Sequence, residues 1–436
     1  MFRATVIVAL ATVAVRIVSL AKELVVAWKF GVSDELDAYL VATVVPLFLI
    51  SLIAGSFNSA VIPTYIHVRD NDGHVAAQRL FSGVTIWSTL LLLVASLLVV
   101  LLAPLYLPLI AINFTAAKLA LTYQLLYVFT PYILFNGLIT TWSATLNAGE
   151  RFAFAALSPM TTPFVIITLL LVYPHGGVLL LTVGAILGSL AEVTLLGFAL
   201  KRRGISVWPH WYGFDQHLKT IAGQYVPMMV GALLMGSTLL VDQTMAASLG
   251  SGSVSALSYG TKLVSMPILL ASTALGTTAI PFFSSMIARN DWVAIRKVFN
   301  RYIALIFAVT IPVTFGLIIW SDPFVRLFYL RGAFSEADVV AVSTIQSYAA
   351  LQIPFYVGGI LVVRMLSSLC LNNALMWISG MNIIVNITLN YFFMKWIGVS
   401  GIALSTSTVY LISFVCCWLI VKNRIGLRCA KIQKVQ

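Results

Sequence analysis

Charge is what this sequence has least of. Only 9% of its 436 residues are Asp, Glu, Lys or Arg, whereas a soluble globular chain carries about 25% to solvate its surface. With 60% hydrophobic residues and a mean hydropathy of +1.00, the outside of the fold must face lipid. Catalytic signatures are missing as well. There is no GxxxxGK[ST] phosphate loop, no HExxH and no GxSxG, so nucleotide hydrolysis by that loop and the common hydrolase chemistries are excluded. Cysteine is scarce: Cys370, Cys416, Cys417 and Cys429 form no CxxC, and they read as reduced packing residues. The five histidines (His67, His74, His175, His210, His217) are too scattered for a metal site. No enzyme activity, metal or cofactor is expected.

The charge that is present is basic, with a net +12 and a pI near 9.6. It clusters in short segments between apolar runs, the pattern of the positive-inside rule and not of a nucleic-acid-binding face. Segments long enough to cross about 30 Å of hydrocarbon fall near 3–29, 35–67, 77–105, 116–147, 152–174 and 177–200. A second set follows near 217–249, 254–287, 296–320, 337–371, 374–395 and 399–421. The expected fold is therefore an all-α membrane protein of about twelve spans in two six-helix lobes around a central cavity. The lobes are residues 1–200 and 216–422, joined by a linker at 201–215 and followed by a basic, frayed tail at 423–436. Arg3 and the apolar stretch after it look like a secretory leader, but Arg16 interrupts the stretch and no small-residue cleavage site follows. With the N-terminus inside, seventeen Lys and Arg fall on the cytoplasmic side and five outside, which puts both termini in the cytoplasm.

The halves resemble each other. Ala27 to Gly31, Pro46, Ile62-Pro63 and Asn71-Asp72 are matched by Ala246 to Gly250, Pro267, Ile280-Pro281 and Asn290-Asp291, at offsets between 218 and 221. Six spans per half make these parallel repeats, the build of many alternating-access transporters. Chance recurrence of short matches in an apolar sequence is the competing reading.

Four cations cannot be assigned to a loop: Arg16, Lys22, Lys262 and Arg364. Each costs about 2.5–3.5 kcal/mol at a helix centre on insertion scales. Arg16 shares one face of the first helix with Thr12, Ser19 and Glu23, and Lys262 shares another with Ser255, Ser258 and Ser265. Asn382, Asn386 and Asn390 recur every four residues, and Arg364 lies four before Ser368. Together these stripes would line a cationic cavity suited to an anionic ligand, with Arg16, Lys22, Lys262, Arg364, Asn382 and Asn386 as candidate substrate-binding residues. Glu23 and Asp242 are candidates for gating or coupling. Asp37, in the acidic turn Asp34-Glu35-Asp37, serves helix capping or gating. The competing reading pairs Arg16 with Glu23, Lys262 with Asp242 and Arg364 with Glu192, lets Lys22 snorkel, and uses the asparagines for interhelical hydrogen bonds.

Val15-Arg16-Ile17-Val18-Ser19-Leu20-Ala21-Lys22-Glu23 resembles the first-helix motif of the MurJ/MviN flippases, within the multidrug/oligosaccharidyl-lipid/polysaccharide exporter superfamily. Phe30-Gly31-Val32-Ser33, Asp37-Ala38-Tyr39 and the segment Gly55 to Pro63 continue the likeness, as do Gly252-Ser253-Val254-Ser255, Tyr259, Lys262-Leu263 and Arg331-Gly332-Ala333-Phe334. The resemblance implies cavity cations at Arg16, Lys22 and Lys262, a functional outer-turn aspartate at Asp37, and export of the undecaprenyl-pyrophosphate-linked peptidoglycan precursor lipid II across the bacterial inner membrane. Its implied partners are that lipid-linked anionic glycan and membrane lipid, and the coupling ion stays open. The chain departs from the family pattern at Leu49, Ile50 and Ala54, where an arginine pair and a glutamate are usual, and at Lys22, Lys262 and Ser265. It has about twelve spans where fourteen are common. An exporter of exopolysaccharide or O-antigen units is the second expectation. A cation-coupled multidrug exporter is the third, disfavoured because cations outnumber acids in the expected cavity. A non-transporting membrane scaffold is the fourth.

Overall fold

The computed structural model describes residues 2–148, 152–208, 210–213, 216–288, 292–369 and 371–433. Arg151, Asp215, Arg289, Asn290-Asp291, Cys370 and Lys434 lie outside the described residues. Those described are helical, with no strand among them, and fall into two compact units, Met1–Ser251 and Gly252–Gln436. Ten helical segments among them are long and apolar enough to cross a membrane. The helices at the two other expected spans, Phe2–Phe30 and Gln216–Ala247, are not among the ten.

The first unit runs α1 (Phe2–Phe30), α2 (Asp34–Ile50), a π-helical turn (Ser51–Gly55), α3 (Ser56–Asn71), α4 (Gly73–Ile110), α5 (Ala116–Ala148), α6 (Phe152–Leu157), a 3-10 turn (Ser158–Met160), α7 (Thr161–Val172), α8 (Leu179–Lys201) and α9 (Gln216–Ala247). α5 is central, packing on α2, α4 and α8, while α1 lies on α6 and α7. α9 packs on α2, α3 and α4 within this unit. Local chemistry sets the α1–α2 corner. Gly31 takes φ 53°, Ser33 caps α2 by accepting from Leu36 N–H, and three acids occupy the first turn, where the helix dipole favours them. The π turn follows Pro46 and includes Ala54, with Ile50 just before it; Ile50 and Ala54 are buried. Two of the three positions at which the resemblance implies charge are thus packing positions here, and the third, Leu49, is half-buried.

α7 and α8 approach closely because α8 presents glycine. A Cβ on Gly188 would stand 2.5 Å from the Thr162 Cα, and one on Gly184 would stand 3.2 Å from the Ile166 Cα. Gly184, Gly188 and Glu192 recur every four residues on one face, so the small-residue seam ends at a carboxylate.

The second unit runs α10 (Ser253–Ala288), α11 (Trp292–Ile319), α12 (Ser321–Tyr329), α13 (Glu336–Ala350), α14 (Ile353–Ser368), α15 (Asn372–Ile397) and α16 (Val399–Gln433). α14 packs on α10, α11 and α16, and α15 pairs with α16. Helix continues through residues 423–433. The repeat shows locally: Gly250, the counterpart of Gly31, also has positive φ (126°). Both units carry long exposed apolar faces, such as Leu90, Leu97, Leu101 and Leu105 on α4 and Leu305, Val309 and Ile319 on α11, as a lipid environment requires.

Candidate functional site

In the first unit the charged stripe of α1 lies within electrostatic range of polar groups on two other helices. Lys22 Nζ lies 2.6 Å from Glu23 Oε1, both side chains being largely buried. The sequence offered Arg16 as the partner of Glu23; the structure supplies Lys22, and Arg16 is exposed on α1. Glu23 is within electrostatic range of Tyr39 on α2, while Lys22 and Glu192 act on Tyr132 of α5. Asn136 donates to the Tyr132 hydroxyl at 2.9 Å, and Phe129 stacks on Tyr132 with centroids 4.5 Å apart. Glu192 is 4% exposed, and Thr162 donates to its Oε2 at 3.5 Å, with Ser158 also within hydrogen-bonding range of the carboxylate. Asp242 is half-buried on α9.

A second cluster sits at the α1–α2 corner. Lys118, counted from sequence as an outer-loop cation, is 8% exposed on the first turn of α5. Its Nζ lies 2.5 Å from Asp34 Oδ1 and 2.9 Å from Asp37 Oδ2, and 4.1 Å from the Phe114 ring centre. Ser251 also hydrogen-bonds Asp34, and Asn113 donates to the Ser248 carbonyl. Asp37 is fully buried. The available signal was a lysine at N3 of a helix, where the dipole disfavours a cation unless acids surround it.

In the second unit Lys262 stands over the Tyr259 ring at 5.6 Å. Tyr259 packs on Tyr329 and Phe334, with centroids 5.0 and 5.6 Å away. The Arg331–Phe334 turn, with Gly332 at φ 60°, therefore buttresses the helix that carries Lys262. Ser255 and Ser258 are buried, and Ser265 donates to the Lys262 carbonyl at 2.6 Å. Arg364 is half-buried on α14. The asparagines face α16: Asn382 donates to Ser413 at 3.1 Å, and fully buried Asn386 accepts from Asn390 and, through its carbonyl, from Ser405, both at 3.4 Å. The Asn382–Ser413 and Ser405–Asn386 contacts are those of the interhelical reading, while Asn390–Asn386 lies within α15. Among the described residues no group of three or more His, Cys, Asp or Glu is placed to hold a metal.

The family model described as lipid II flippase MurJ matches residues 26–436. The chain belongs to the MurJ family. It is 25% identical to the probable lipid II flippase MurJ of Rickettsia prowazekii, covering 93% of this chain and 81% of the relative. It is 27% identical to the corresponding protein of Synechocystis, over 97% of this chain and 81% of the relative. A solved lipid II flippase MurJ in an inward closed conformation superposes with a TM-score of 0.79 at 25% identity, covering 96% of this chain and 87% of that one. An inward-facing multidrug resistance MATE transporter reaches the same TM-score, 0.79, at 14% identity, over 97% of this chain and 99% of that one; that likeness shows a shared fold alone. MurJ membership and the apolar helices make this a multi-pass membrane protein of a transporter family.

Proposed function

We propose that this MurJ-family chain moves lipid II across the cytoplasmic membrane by alternating access, without catalysing a covalent reaction. The family match across 26–436 carries the reading, because it covers nearly the whole of this chain and not one module of it. The chemistry of the charged residues supports it. Lipid II pairs a pyrophosphate and sugars with a polyprenyl tail. Arg16, Lys22, Lys262 and Arg364 supply positive charge on spans, lowering the cost of carrying the pyrophosphate past hydrocarbon. Lys22 is partly neutralised by Glu23, so exposed Arg16 is the stronger phosphate ligand of the first unit, and its planar guanidinium suits bidentate binding. Glu23, Asp37 and Asp242 serve gating or coupling. Twelve spans, lobes at 1–200 and 216–422, and both termini in the cytoplasm complete the proposed topology.

Expression in cells depleted of their own lipid II flippase tests this. Rescue of growth that is lost in Arg16→Ala supports the reading. Failure to rescue, with the protein present in the membrane, would favour an exporter of another undecaprenyl-linked glycan, a reading to which the apolar, buried Ile50 and Ala54 lend weight.

A further inference from the structure

Glu192 is the one acid on α8, and it lies about 14 Å along the helix from Lys201 at its end. It is 4% exposed, and the elements packed on α8 bring it no countercharge. α6, the 3-10 turn and α7 contain no charged residue. The one cation on α5 is Lys118, which Asp34 and Asp37 hold in its first turn. Tyr132 of α5 is within electrostatic range of Glu192, and Lys22 of α1 acts on the same tyrosine but is paired with Glu23. What meets the carboxylate is hydroxyl: Thr162 donates to Oε2 at 3.5 Å, and Ser158 is within hydrogen-bonding range.

An ionised carboxylate buried in a membrane span calls for a cation or water beside it, whereas a neutral acid needs only hydrogen-bond partners. Two hydroxyls satisfy the neutral acid. Ser158 carries the protonation state beyond the side chain. Its hydroxyl also donates to the Ala155 carbonyl at 3.5 Å, and that carbonyl lacks its usual helical donor because residue 159 is proline. A hydroxyl has one proton to give. Protonated Glu192 donates to Ser158 Oγ and leaves the serine proton on Ala155; ionised Glu192 draws it away, and the turn at Ser158–Met160 loses that tie. The turn and its flanking helices α6 and α7 all pack on α1, which carries Arg16, Lys22 and Glu23. We propose that Glu192 binds and releases one proton per cycle and, through this turn, couples movement of the substrate to the proton gradient. The step is an acid–base equilibrium, with water on one side of the membrane supplying the proton and water on the other accepting it. The coupling rests on the reading of the chain as a lipid II transporter; the proton site does not.

The full chain is reconstituted with lipid II in vesicles, and a pH difference is imposed with the electrical potential clamped at zero. The ratio of lipid II between the leaflets should shift by up to about tenfold per unit of pH difference, the limit that one proton per cycle sets. Glu192→Gln keeps the size and hydrogen bonding of the side chain and should lose the shift, whereas Glu192→Asp keeps an acid and should retain part of it. Infrared difference spectra of the full chain in lipid, recorded as pH is stepped without lipid II, should show a carboxylic-acid carbonyl band that titrates and is missing in Glu192→Gln. Lipid II movement indifferent to the pH difference, or a shift retained in Glu192→Gln, would overturn the coupling and leave lipid II transport standing. A chain that moves no lipid II but shows the band would contradict the transport reading and support the site. Absence of a titrating band that depends on Glu192 would overturn the proton site, whatever the chain transports.

Discussion

Lys118 Nζ stands 2.9 Å from Asp37 Oδ2 and 2.5 Å from Asp34 Oδ1, joining the first turns of α5 and α2. The matching position in the second unit is Asp338, 220 residues later. Thr115 and Ser335 play the same capping role, each accepting from the N3 N–H at 3.3 Å. At N3, however, Asp338 completes a capping box, while Lys118 opposes the helix dipole. The first unit thus keeps the Thr115 cap but has a tie between helices where the second has the reciprocal half of a capping box.

Removing that tie has a calculable cost. Lys118→Met leaves Asp37 buried without its cation, a loss of roughly 3–5 kcal/mol for a broken buried pair. Asp37→Asn should be milder, because Asp34 stays beside Lys118. Thermal unfolding in detergent should rank wild type above Asp37→Asn and Asp37→Asn above Lys118→Met. The reverse order would mean that buried Asp37 is held chiefly by something other than Lys118.

The α1 charges should separate by role. Lys22→Arg retains the pair with Glu23 and should keep most transport, whereas Arg16→Ala should abolish it while the protein still inserts. Lys262→Ala should also abolish transport. Equal activity of Lys22→Arg and Lys22→Ala in a lipid II exposure assay would reduce Lys22 to a membrane-edge anchor.

Gly188→Ala probes the α7–α8 seam. The new Cβ would press on the Thr162 backbone at 2.5 Å, and strain of this kind typically costs about 1–3 kcal/mol. Gly223→Ala, with nothing within 4 Å of its Cβ, should be neutral or stabilising by roughly 0.4–1 kcal/mol. Urea or thermal unfolding of the two variants side by side checks the contrast.

Asn386→Ala should lower stability by roughly 1–3 kcal/mol, since it deprives buried Asn390 of an acceptor, and should leave transport per folded molecule unchanged. A specific transport defect in a normally stable variant would return Asn386 to the substrate site.

Much of the fold was legible in sequence because lipid leaves few options: apolar runs between basic segments mark helices, and the twelve expected segments fall on helical regions here. The α1 stripe and the Tyr259-Lys262 motif were legible because charge inside an apolar helix is conspicuous. Lys118 was not, since a lysine beside a loop reads as solvated until the fold brings Asp34 and Asp37 to it.

The most direct measurement reconstitutes the purified chain in vesicles containing lipid II and follows its exposure on the opposite leaflet. Exposure that requires Arg16 and Lys262 and exceeds that of protein-free vesicles is the predicted result. Exposure no faster than in protein-free vesicles, with the chain folded and inserted, would contradict lipid II translocation as its function.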